Sequence, residues 1–312
     1  MRNLKAMILF ISCAFIFVAA AAAATDNERS GLKTTFKKKS LFEGKSLVEI
    51  ETISGNCVVK KGISDWKIEV EIKGSCDPEH LFKPQFSEKE NRLVIQEVID
   101  GSNTCSATWT IIVPKKTDIS FSSASGELKV AGLKSRIFAN TASGSIDISD
   151  CSGRIDISSA SGDIVASRLN GEIQLETASG DIEVHKAEGK LNAESASGSV
   201  FGSEIRITEM SAFTTASGDV NVMLNGSPSS NLTVSSASGK AVLNYKGNPI
   251  SGYFEFTARV DKGRIKAPFK FDKEEEFDRD GTTYITKSFT KGTNLPEIYI
   301  ETASGTAVLE EN

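Results

Sequence analysis

Thr141-Ala-Ser-Gly-Ser-Ile146, Ser159-Ala-Ser-Gly-Asp-Ile164, Thr177-Ala-Ser-Gly-Asp-Ile182 and Ser195-Ala-Ser-Gly-Ser-Val200 are four renderings of one phrase, each eighteen residues after the last. Read outward, the tripeptide Ala-Ser-Gly ends at Gly126, Gly144, Gly162, Gly180 and Gly198, then at Gly218 and Gly239 after steps of 20 and 21, and finally at Gly305. A related turn, Ile53-Ser54-Gly55, precedes the series, and weaker copies at Gly153, Gly171 and Gly189 halve the period to nine. Self-similarity at a fixed period is the mark of a repeat architecture.

Aligned in nines, the third position reads Leu128, Ile137, Ile146, Ile155, Ile164, Ile173, Ile182 and Leu191, and the fifth reads Val130, Ala139, Ile148, Ile157, Ala166, Leu175, Val184 and Ala193. Apolar residues two apart with polar ones between describe a strand with one buried face. The eighth position is again apolar but small: Leu133, Ala142, Cys151, Ala160, Leu169, Ala178, Ala187 and Ala196. Glycine in the bend suits a backbone that takes positive φ or runs close to a neighbour, and the adjacent serine can bond to nearby backbone. These features predict an all-β, single-domain β-solenoid with eighteen-residue coils of two short strands. Its expected columns place Thr141, Ser159, Thr177 and Ser195 outside and Ala142, Ala160, Ala178 and Ala196 inside. Short strands at this spacing also suit an antiparallel sandwich or barrel, but the repeat is most faithful at eighteen, as stacking of like on like requires.

The ends depart from the consensus, as capping units do. Residues 47–120 carry strand-like runs such as Trp66–Ile72, Leu93–Ile95 and Trp109–Pro114; residues 121–247 hold the regular repeats; residues 248–312 include Tyr253–Phe256, an acidic run Glu274–Glu276 and a return to consensus at Ala303-Ser304-Gly305. Ahead of them, Arg2 and Lys5 precede an apolar stretch Ala6–Val18 and an alanine run ending at Ala24, which reads as a signal peptide over 1–24, cleaved before Thr25. Residues 25–46, with Lys37, Lys38 and Lys39, read as a linker. Export permits disulfides. Of Cys57, Cys76, Cys105 and Cys151, whose three full pairings the spacing leaves open, Cys76 and Cys105 form the preferred bridge, and Cys151 falls at a buried position.

Thirty-six basic against forty-one acidic residues, dispersed, with 7% aromatics, point away from a nucleic-acid partner. No catalytic, cofactor-binding or metal-ligating set is expected. The outward carboxylates Asp147, Asp156, Asp163, Glu172, Asp181 and Glu183 are spread along the stack rather than clustered for acid–base work, and His185 has no nameable Ser-His-Asp partners. Calcium-binding nonapeptides carry Gly-Gly-x-Gly-x-Asp, which these units lack, although an Asp163/Asp181/Asp219 column could bind the ion weakly. The expected partner is an envelope glycan or protein, with membrane association only through a retained leader. The competing expectation is a carbohydrate-active β-helix enzyme.

The strand-turn-strand at Glu49–Val59, the Ile-Ile-Val-Pro at 111–114 and the iterated phrase at Thr141–Ile146, Ser159–Ile164 and Thr177–Ile182 resemble the putative adhesin family of bacterial envelope proteins, over residues 47–312. The resemblance implies a periplasmic or surface-exposed β-repeat domain with an adhesion or envelope-stress role, and it supplies no catalytic residues.

Overall fold

A computed structural model describes residues 34–77, 79–100, 105–292 and 295–312. The expected signal peptide lies outside them. The described residues form twenty-five strands and one 3-10 turn, Glu79–Leu81. In the regular region each coil runs along one face, bends at Ala-Ser-Gly, returns along a second face and bends again. On the first face Ile137 pairs in parallel with Ile155, and Ile155 with Ile173. On the second, Ile146 pairs with Ile164, Ile164 with Ile182 and Ile182 with Val200. The eighteen-residue register therefore holds on both faces, and the chain is a β-solenoid. Where the sequence steps by 20 and 21, so does the pairing, as in Val200↔Val220 and Val220↔Ala241.

Isoleucine, leucine and valine from the third and fifth positions meet between the faces; Ile146, Ile155, Ile164, Ile173 and Ile182 are all buried. Full burial of such side chains contributes about 1.5–3 kcal/mol each. Larger rings close the ends. Phe36 packs at a tilt on Phe82, ring centroids 4.7 Å apart, and Phe82 on Trp109 at 6.0 Å at one end, and Phe254 stacks on Phe289 at 4.8 Å at the other.

At the Ala-Ser-Gly bend the expected columns are reversed. Thr141, Ser159, Thr177 and Ser195 are buried, whereas Ala142 and Ala178 are half-buried and Ala160 and Ala196 exposed. The hydroxyls go inward because the bend needs them there. Gly180 N–H donates to Thr177 Oγ1 at 3.1 Å, and Thr177 Oγ1 donates to the carbonyl of Gly162, one coil back, at 3.1 Å. Ser195 repeats both bonds with Gly198 and Gly180. Thr177 and Ser195 thus each satisfy one donor and one acceptor that the tight bend would otherwise orphan, and Thr141 and Ser159 accept the N–H of Gly144 and Gly162 in the same way. The eighth position does point inward at the opposite bend, where Leu133, Cys151, Leu169 and Ala187 are buried.

The glycines of the bend do not take positive φ; they are required by proximity. A Cβ on Gly144 would fall on the carbonyl oxygen of Gly126, one on Gly162 on that of Gly144, and one on Gly180 on that of Gly162. The opposite bend uses another device. Asp150, Arg168, Lys186 and Glu204, one per coil, sit at φ 53–57°, and Arg168 pairs with Asp150 across the step at 2.6 Å.

Neither end follows chain order. The coil of Leu47–Thr52 and Asn56–Lys61 pairs with the regular coil Asp118–Ser123 and Leu128–Ala131 on one side. On its other side lie the later strands Arg92–Ile99 and Ser106–Val113. The final coil, Glu297–Thr302 and Thr306–Glu310, likewise stacks on Leu232–Ser236 and Lys240–Asn244. Strands Gly252–Arg259 and Arg264–Lys266, earlier in the chain, cover it. The stretches that interrupt the repeat are therefore detours that build the caps, and the closing Ala303-Ser304-Gly305 is an inner rung. Of the expected linker over 25–46, residues 25–33 lie outside the described residues and the part from Thr34 is corrected. Thr34–Glu43 is a strand, antiparallel to Lys67–Cys76, because Phe36 and Phe42 alternate onto the core.

At the first bend no earlier coil exists to accept its amides. Glu97, only 6% exposed, replaces it. Its Oε2 accepts N–H from Ile53, Ser54 and Gly55 at 2.7, 2.9 and 3.0 Å.

Gly180→Ala is expected to cost ~3 kcal/mol or more, since backbone on both sides is fixed by the stack. Thr177→Val, isosteric but without the hydroxyl, is expected to cost ~1–3 kcal/mol, and Ala178→Ser no more than ~0.5 kcal/mol. Urea denaturation of the three variants checks this order; equal tolerance of Thr177→Val and Ala178→Ser would contradict the inward hydroxyl.

Candidate binding surface

Strand alternation leaves three outward columns on the first face. One reads Asp118, Arg136, Arg154, Glu172, Lys190; the next Ser120, Phe138, Asp156, Gln174, Asn192; the third Ser122, Asn140, Ser158, Glu176, Glu194. The first is an ion-pair ladder: Arg136 Nη2 lies 2.6 Å from Asp118 Oδ2, Arg154 Nη1 3.6 Å from Glu172 Oε2, and Lys190 Nζ 3.0 Å from Glu172 Oε1. Exposed pairs of this kind contribute little to stability. In the second column Phe138 is 45% exposed, an aromatic ring between Ser120 and Asp156. It lines a shallow groove of about 350 Å³ with Asp118, Ser120, Arg136, Arg154 and Asp156.

Partial burial, then the neighbouring Glu176, pushes the carboxyls of Asp156 and Glu194 above their ordinary values. A raised folded-state pKa favours the fold below the unfolded value, and this contribution is lost as pH rises through the folded one. Protonation of these two groups therefore favours the fold at acid pH, and that contribution is gone once both are ionised.

Of the carboxylates named from sequence, Asp163 and Asp181 serve the stack. Each Oδ1 accepts the N–H one coil on, from Asp181 at 2.9 Å and Ser199 at 2.7 Å, and Asp219 does the same for Lys240 at 2.7 Å. The Asp163/Asp181/Asp219 column is thus an amide-capping ladder. Among the described residues no group of three or more His, Cys, Asp or Glu side chains is placed to hold a metal. Asp147 and Glu183 lie on the second face, apart from Asp156 and Glu172.

His185 does acquire partners that the sequence reading did not name. Its Nδ1 lies 2.7 Å from Ser203 Oγ and its Nε2 3.4 Å from Glu183 Oε2. The three stand on the open second face, with Glu183 and His185 side chains 54% and 42% exposed. Ser203 sits within the paired strand Val200–Ile207, directly opposite His185, rather than on a turn that aims free N–H groups at an oxyanion. The arrangement is a cross-strand surface network.

Cys76 and Cys105 are joined by a disulfide, while Cys57 and Cys151 are free and buried, with burial pushing both thiols up. Glu97 was missed, although a signal existed: Leu93 and Ile95 fix the inward parity of their strand, and Glu97 shares it.

The Toastrack DUF4097 family model matches residues 69–251, more than half of the chain. A solved structure of a putative adhesin from Parabacteroides distasonis, 14% identical, aligns over 89% of this chain and 96% of its own with a TM-score of 0.53, and it shares the fold. A putative lipid binding protein from the same organism aligns over 88% and 96% at 11% identity with a TM-score of 0.46. A putative adhesin from Bacteroides fragilis aligns over 89% and 96% at 13% identity with a TM-score of 0.40. No curated protein matches the chain. With residues 69–251, more than half its length, matched, the chain belongs to the Toastrack DUF4097 family.

Proposed function

We propose that this protein is a non-enzymatic binding module of the cell envelope that presents its first face to a glycan. The observation that carries the reading is the exposed Phe138 ring set between Arg136, Arg154 and Asp156 on a flat face. An aromatic ring gives a stacking platform for the apolar side of a sugar, and carboxylates, amides and guanidinium groups at the stack's spacing of about 4.8 Å offer hydrogen bonds to its hydroxyls. A long array of modest contacts suits an extended polymer, for which many weak sites act together. Exposure to the envelope is supported by the family resemblance, by the leader expected over 1–24 and by the Cys76–Cys105 bridge, since such bridges persist in oxidising compartments.

The enzymatic alternative would need an acid–base pair free to act on one substrate; of the groove's carboxylates, Asp118 is ion-paired to Arg136 and Glu49 to Arg92, beside Asp156. Incubation of the full chain with bacterial envelope polysaccharides is expected to show retention of at least one on the protein and no shortening of any by mass spectrometry. Phe138→Ala is expected to weaken that retention about tenfold, equivalent to ~1.4 kcal/mol, with the denaturation midpoint unchanged. Shortened products, or binding indifferent to Phe138, would overturn the reading.

A further inference from the structure

The bend opposite Ala-Ser-Gly changes character at the N-terminal end of the stack. Three successive bends there place Lys61, Lys115 and Lys134 together. Gly62 N–H donates to the carbonyl of Val113 at 2.8 Å, Lys134 N–H donates to the carbonyl of Lys115 at 2.7 Å, and a Cβ on Gly132 would lie 3.2 Å from Lys61 Cβ. None of the three ammonium groups has an ion-pair or hydrogen-bond partner among the described residues, in contrast to Lys37, Lys39 and Lys73, which converge on Glu71. The charge of Lys134, then burial, then Lys61 lowers the pKa of Lys115, so these groups feel one another's repulsion.

The same edge carries the loop between Lys61 and Lys67. At its tip Ile63 is fully exposed, and Trp66 is 52% exposed with Lys67 Nζ 4.8 Å from its ring centroid. Glu43, in register with Lys67, and Asp65, within the loop, are carboxylates on the adjoining segments, and neither is ion-paired to a lysine among the described residues.

We infer that this edge docks on an anionic phospholipid bilayer, with Ile63 and Trp66 entering the interfacial layer and Lys61, Lys67, Lys115 and Lys134 lying over the headgroup phosphates. Charge complementarity selects the occupant. Mutually repelling cations with no partner are stabilised by a dense layer of negative charge. Beside it, a protruding aliphatic tip and an amphipathic indole meet an apolar phase only a few ångströms deeper. Lysine stems can lie along that boundary with their charges in water. Membrane contact would then be a property of the folded stack as well as of any leader.

The chain contains two tryptophans, and Trp109 is fully buried, so a lipid-dependent change in emission reports Trp66. The full chain is mixed with phosphatidylcholine vesicles, with or without phosphatidylglycerol. Emission is expected to move to shorter wavelength, and to be quenched by lipids brominated in the acyl chain, only when phosphatidylglycerol is present. Added salt should reverse the shift in the unmodified chain, and Trp66→Phe and the double change Lys115→Glu with Lys134→Glu should abolish it. The inference is overturned by an equal response to phosphatidylcholine alone, by one insensitive to salt, or by no response. It is equally overturned if inorganic phosphate or a soluble acidic polysaccharide gives the same shift, which would make the edge a site for free anions. Loss of Phe138 leaves this readout untouched, so the glycan reading and the bilayer reading fail separately.

Discussion

Each coil rests on the one before it through a contact that admits no side chain. Gly144 sits over the carbonyl of Gly126, Gly162 over Gly144 and Gly180 over Gly162, close enough that a methyl group would occupy the oxygen's place. The buried hydroxyl three residues earlier makes that approach tolerable: it accepts the glycine N–H, and at Thr177 and Ser195 it also donates to the preceding coil's carbonyl. Burying polar groups costs free energy unless they are bonded, and here one oxygen satisfies two groups at once. The strands then have no freedom of register, and the apolar third and fifth positions follow into the core.

The same ladder dictates how the ends are made. A stack of identical bends has one end with unmet amides and another with unmet carbonyls, and a β-stack left open invites pairing with other chains. At the first end Glu97 accepts three amides, and rings of Phe36, Phe82 and Trp109 fill the last layer. At the other, Arg264 N–H donates to the carbonyl of Gly305 at 3.0 Å, and Phe254 and Phe289 close the core. Because consensus coils sit inside caps made by neighbouring sequence, the chain departs from and re-enters the stack, with 71 residues from Gly55 to Gly126 and 66 from Gly239 to Gly305. The outer surfaces are left to vary, and a glycan-facing side and a cationic edge can coexist on one scaffold.

The period, the two strands per coil and the core positions were legible because burial enforces them residue by residue. The bend was legible only in part. Alanine beside serine or threonine suggests that the apolar residue goes in, but Thr177 is inside and Ala178 half-exposed, since backbone satisfaction outweighs the transfer of one methyl group. The strand Thr34–Glu43 was hidden by its lysines, three of which follow Phe36 and mask its alternation with Phe42. Phe138 reads as one more residue between two apolar neighbours, and only the stacked columns show what stands beside it. The convergence of Lys61, Lys115 and Lys134 could not be read at all, as it joins bends 54 and 19 residues apart through coils whose order in space differs from their order in sequence.

That difference of order is the claim on which the architecture stands or falls, and a cross-link tests it most directly. Ser238 and Ser304 are both exposed, and the bond from Ser304 N–H to the carbonyl of Ala237 at 2.9 Å places their bends on adjacent rungs, within the span of a disulfide. Cysteines introduced at both positions are expected to join under mild oxidation, giving one linked peptide pair by mass mapping, while cysteines at Ser304 and Ser197 remain apart. Efficient linkage of the second pair, or failure of the first in a folded chain, would contradict the intercalated coil.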